Sequence, residues 1–143
     1  MTMLFGKNGR RDSLVFENIR VVDPTRGIDE ALTVTVEQGV IASVEPASAP
    51  VNGKVLSPAF VDPHVHLRTP GREDEEDLAS GTAAAAGGGY CAVLAMPNTD
   101  PVIDSAAVLG SLIEQAKRVA RVPVGFLAAI TRGQDGAELT EMV

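Results

Sequence analysis

The chain contains two histidines, and they stand two residues apart, as His64 and His66. On an extended strand, positions i and i+2 face the same side. Both imidazoles can therefore be presented to one point, as a metal site needs. Asp62 and Arg68 share that parity if the extended geometry continues, which would line up a carboxylate, two imidazoles and a guanidinium. Histidines at this spacing also occur by chance, and a single histidine is more often a surface or core residue than a ligand. Position favours the metal: the pair closes the apolar run Ala59-Phe60-Val61 and precedes a loop carrying Pro70 and Gly71. Strand C-terminal ends are where α/β proteins place their chemistry.

Arg68 has two readings. Exposed arginines commonly just solvate a surface, but a cation beside a metal implies an anionic ligand, and the guanidinium fork fits a carboxylate. Asn98, in Met96-Pro97-Asn98-Thr99, offers both donor and acceptor. It fits a turn before Asp100-Pro101, or a substrate contact on the rim that carries Arg68. Cys91 reads as a small buried hydrophobe inside a strand. The acidic run Glu73 to Asp77 reads as a solvated loop and first helical turn.

The elements that would position these residues follow from periodicity. Ser13 to Phe16 and Ile19 to Val22 read as short strands. Leu32 to Val36 alternates with period 2, and a Gln38-Gly39 turn returns it as Val40 to Val44, a β-hairpin. Ala47 to Gly53 is a connection. From Val55 the pattern changes. Residues 75–87 predict a helix, despite Gly81, with acids in its first turn. Tyr90 to Met96 predicts a strand, and 105–120 an amphipathic helix with Asp104 as N-cap. Val122 to Ile130 predicts a further strand, and Ala137 to Val143 the start of a third helix. This alternation implies βα units and a parallel sheet. A doubly wound sheet could be completed in 143 residues; a (β/α)8 barrel, at about 250, could not.

Composition narrows the function classes. Hydrophobic residues make up 45% and aromatics only 3%, so Ala, Val, Leu and Ile must pack the core. A net charge of −7 argues against nucleic acid and anionic membranes. The only basic cluster, Lys7, Arg10 and Arg11, is too small for a nucleic-acid arm. One cysteine fits a reducing cytosol, and no signal peptide or membrane span is evident. The expectation is a soluble cytoplasmic protein; the charge says little about a small substrate, since a local arginine can bind an anion inside an acidic protein.

The stretch SPAFVDPHVHLRTPGREDEEDLASGTAAAAGGGYCAVLAMPNTDPVID closely resembles the start of the barrel in dihydroorotases of the amidohydrolase superfamily. DPHVHLRTP resembles the family's metal-site signature and MPNT its second segment. A weaker likeness runs through ITRGQDGAELTEM, and the N-terminal strands resemble the small β domain flanking such barrels. The resemblance implies a β-strand domain over 1–56 and the first three βα units of a (β/α)8 TIM-type barrel over 57–143. It implies one or two Zn2+ ions held in part by His64 and His66, with Arg68 and Asn98 on the substrate carboxylate and Asp62 in support. The substrate pair would be N-carbamoyl-L-aspartate and L-dihydroorotate, in de novo pyrimidine (UMP) synthesis. Hydantoinases and allantoinases share HxH but usually lack Leu-Arg together with MPNT. Thr69 departs from the acidic residue many relatives carry.

The family's other metal ligands and catalytic aspartate come from later strands. No catalytic residue is therefore expected in these 143 residues, and the fragment alone is expected to be inactive, with exposed strand edges. A homo-oligomer, or association with aspartate transcarbamoylase, is open. So is a non-catalytic dihydroorotase-like scaffold for that enzyme, although the intact His-Val-His argues against it.

Overall fold

The computed structural model describes residues 4–6 and 12–141, and the fold is mixed α/β. The basic cluster Lys7, Arg10 and Arg11 lies outside the described residues. The chain divides into two compact units, one within 12–58 and the other comprising 59–141 with 4–6.

The first unit is a four-stranded sheet of order β3-β2-β1-β4. It comprises β1 (Ser13–Asp23), β2 (Ile28–Glu37), β3 (Val40–Pro46) and β4 (Val55–Leu56). The hairpin forms as its alternation predicts, with Gln38 and Gly39 both at positive φ in the turn. The two short strands expected before it are one strand, β1, interrupted by a bulge between Phe16 and Ile19. Asn18 fills the bulge at φ 48°. Its Oδ1 accepts from the Ser48 and Ala49 N–H groups, both at 3.0 Å, which ties the connecting segment to the sheet. Ile19 and Val34 are the buried apolar residues of this sheet.

The second unit carries the parallel sheet β5-β6-β7, built from β5 (Phe60–Val65), β6 (Tyr90–Ala95) and β7 (Val124–Phe126). Phe5 pairs with Val124 at its edge. Helix α1 (Leu78–Gly87) follows β5 and α2 (Ala106–Val119) follows β6. Leu78, Val93, Ile103, Leu112, Ala116 and Val124 form the core, aliphatic as the composition requires.

Several local expectations change. The acids before α1 precede the helix instead of entering it. Asp77 is the N-cap, accepting from the Ser80 N–H at 2.7 Å, while Ser80 Oγ accepts from the Asp77 N–H. Such reciprocal capping satisfies two otherwise unpaired donors. Helix α2 is capped by Ser105, because Asp104 is used elsewhere: it accepts from the Gly133 N–H at 2.8 Å. Strand β7 is three residues long, since the chain leaves the ladder after Phe126. No helix forms over 137–141, where Leu139 instead bridges Thr131; residues 142 and 143 lie outside the described residues. Cys91 is exposed, not buried: it stands near the start of β6, and the core cover on its side of the strand reaches Val93 and Ala95 but not Cys91. No helix among the described residues is long and apolar enough to cross a membrane.

Candidate metal centre

The ends of β5 and β6 lie side by side. The Met96 N–H donates to the Val65 carbonyl at 2.9 Å, so residues 64–68 and 96–99 leave the sheet as neighbours. The β5–β6 register slips between Asp62 and Val65, around Pro63, which has no N–H to donate to the ladder. Asp62 Oδ1 accepts from the His64 backbone N–H at 3.0 Å. The carboxylate thus steadies the backbone of the first histidine.

The histidine rings do converge. Their centroids are 5.3 Å apart, with planes inclined at 63° in an edge arrangement. His66 Nδ1 lies 2.8 Å from Asn98 Oδ1. A carboxamide oxygen only accepts, so this contact requires a proton on Nδ1, and in the neutral ring that leaves the Nε2 lone pair for another partner.

Leu67, between His66 and Arg68, is buried. A Cβ on Gly81 would come within 2.5 Å of its Cδ2, which explains a glycine inside α1: the helix must approach Leu67 closely. Beyond Leu67 the extended geometry ends. Arg68 has φ 56°, in the left-handed region, so its direction is not set by strand parity with the histidines as expected. Its Nε lies 3.3 Å from Glu75 Oε2, in a pair about one-third exposed on each side. Glu75 also pairs with Arg72. The loop is braced by Glu73, whose carboxylate oxygens accept from the Gly71 N–H at 3.0 and 3.1 Å, and by the Asp100 N–H, which donates to Pro70 O at 3.0 Å.

The structure thus brings His64, His66 and Asn98 together and puts Arg68 and Asp62 on the flanking backbone. Sequence reasoning missed two contacts. Glu75 falls within an acidic run that reads as solvated, and its pairing with two arginines has no periodic signature. Asn98 on His66 joins residues 32 apart in sequence. Only the docking of two strand ends creates it.

The dihydro-orotase-like family model matches residues 53–143. The chain belongs to the dihydro-orotase-like family. Asp62, His64, His66, Arg68 and Asn98 all fall within the matched stretch. The chain is 42% identical to a dihydroorotase of Geobacter metallireducens over 138 aligned positions, covering 91% of this chain and 32% of that protein. It is 44% identical to a dihydroorotase of Solibacter usitatus, covering 88% and 31%. The chain therefore spans about a third of the length of these relatives. Its fold is similar to that of an L-hydantoinase (dihydropyrimidinase) from Arthrobacter aurescens, with TM-score 0.61 and 22% identity over 82% of this chain and 28% of that one. A D-hydantoinase gives TM-score 0.61 at 23% identity over 83% and 27%.

The donors suit a zinc ion in kind. Neutral imidazole nitrogen is a usual zinc ligand, commonly with its second ring nitrogen donating to an oxygen, and His66 has that partner in Asn98. Among the described residues no group of three or more His, Cys, Asp or Glu could hold a metal, so the two histidines make a partial ligand set.

Proposed function

We propose that this chain works in a zinc-dependent dihydroorotase, interconverting N-carbamoyl-L-aspartate and L-dihydroorotate in de novo pyrimidine synthesis. On this reading β5, β6 and β7 are the first strands of a (β/α)8 barrel, with the β-sheet unit before it, in a cytoplasmic enzyme. One observation carries the reading: two imidazoles whose centroids lie 5.3 Å apart at a strand's C-terminal end, inside the family-matched stretch.

Zinc bound there would acidify water and polarise an amide carbonyl. The chain's own residues do the rest of the positioning. Asp62 fixes the His64 backbone, and His64 and His66 supply nitrogen donors. Arg68 touches Glu75 through Nε, and its outer fork suits a bidentate pair with a substrate carboxylate. Holding that carboxylate would orient the reacting amide and lower the entropic part of the barrier.

Fold similarity to hydantoinases favours a second reading, hydrolysis of hydantoin-type rings. Turnover of dihydroorotate, hydantoin and allantoin by the full-length protein separates the two. Dihydroorotate turnover is expected, abolished by His64→Ala and weakened mainly through KM by Arg68→Ala. A preference for hydantoin, or undiminished turnover by metal-free His64→Ala, overturns the proposal. Co-purification with a transcarbamoylase, without zinc or turnover, would support a scaffold.

A further inference from the structure

We infer that Asn98 is a positioning residue for His66: its carboxamide oxygen holds the proton on Nδ1 and so dedicates Nε2 to the metal. The inference rests on the metal-site reading above but concerns a residue that the sequence assigned to substrate.

Three observations carry it. First, the 2.8 Å contact is between Asn98 Oδ1 and Nδ1, not Nε2. An imidazole has two tautomers, and an acceptor on one nitrogen selects the tautomer with its proton there. Second, both partners sit on braced backbone. His66 precedes buried Leu67 and follows Val65, whose carbonyl accepts from Met96. Asn98 lies between buried Pro97, whose carbonyl accepts from the Thr99 and Ile103 N–H groups, and Thr99, whose hydroxyl donates to Pro101 O at 2.8 Å. The contact is thus made between two strand ends held by the same ladder, which fixes the ring's direction as well as its tautomer. Third, His64 has no such side-chain partner among the hydrogen bonds of the described residues. Its ring and that of His66 meet in an edge arrangement. Orienting His66 therefore orients the pair. Asn98 Nδ2 stays available to a substrate oxygen, so one carboxamide can touch both the ligand-bearing ring and the substrate.

The test is made on the full chain, labelled with 15N at histidine and freed of metal at pH 7.5. Long-range 1H–15N correlation should show His66 with a protonated Nδ1 and a bare Nε2. Asn98→Leu should lose this preference and weaken zinc binding, measured against a competing chelator, by about 10- to 100-fold. Asn98→Asp, which still accepts from Nδ1–H, should keep the tautomer and restore zinc affinity even if it impairs substrate KM. Circular dichroism checks that both variants are folded.

An Nε2-protonated His66 in the wild type would mean that the carboxamide donates through Nδ2, and overturns the inference. So does unchanged zinc affinity in Asn98→Leu. If the wild type binds no zinc through His64 and His66, the metal-site reading fails first; the tautomer measurement reports on Asn98 separately.

Discussion

Gly71 and Asp100 pack backbone to backbone: at φ 102°, Gly71 sits where a Cβ would overlap the Asp100 carbonyl oxygen. This contact docks the loop after β5 on the loop after β6. Gly71→Ala should therefore lower stability by more than about 1 kcal/mol, since alanine is strained at positive φ and here also clashes. It should raise KM for a carboxylate substrate more than it lowers zinc affinity, because the histidines precede the loop. Thermal unfolding and chelator competition check the two parts. Wild-type stability with unchanged KM would show that the loops are not coupled.

Thr82 links the start of α1 to the end of α2. It is fully buried, and its hydroxyl accepts from the Arg121 N–H at 2.9 Å while donating to the Leu78 carbonyl. Thr82→Val keeps the shape and strands the Arg121 N–H, so a loss of about 1–3 kcal/mol is expected. Thr82→Ser should recover most of it. Denaturant unfolding of the three proteins decides the matter.

Leu112 is the central apolar residue of α2 and is 2% exposed in the aliphatic core. Leu112→Ala should cost roughly 2–5 kcal/mol, from lost burial plus the cavity left behind. Because the residue lies away from the histidines, the variant that remains folded at low temperature should bind zinc like the wild type.

The N-cap of α1 is sensitive to acid. The Ser80 N–H holds the Asp77 carboxyl below its usual range. A carboxyl depressed in the folded state binds protons more readily when unfolded. Its contribution is thus fully present above the unfolded value and is lost as pH falls through the folded one. Asp77→Asn keeps a capping oxygen without the charge. Its unfolding midpoint should lie below that of the wild type at neutral pH, with the gap closing in acid. A gap independent of pH would contradict the assignment.

Much of this molecule was legible in local patterns. The hairpin over β2 and β3, the strands β5 and β6, the helix α2 and the His-Val-His pair all come from periodicity, turn residues or spacing of side chains close along the chain. Those signals are set by the backbone geometry of a few residues, which is why they survive without knowledge of neighbours. Caps and chain exits were harder. Asp104 and Ser105 are both good N-caps, and the choice fell to Ser105 because Gly133, distant in sequence, takes the Asp104 carboxylate. Cys91 reads as buried because strand composition cannot say how far along a strand the core cover extends.

The sequence alone determined that two imidazoles would leave one strand end on the same side, since residue spacing and strand pleat suffice for that. Only the tertiary structure decided what they meet. The left-handed turn at Arg68, its contact with Glu75 and the seat of Asn98 against His66 depend on two strand ends being laid side by side. Contacts between residues remote along the chain exist only after packing has overcome their loop-closure entropy, and no local pattern of residues records them.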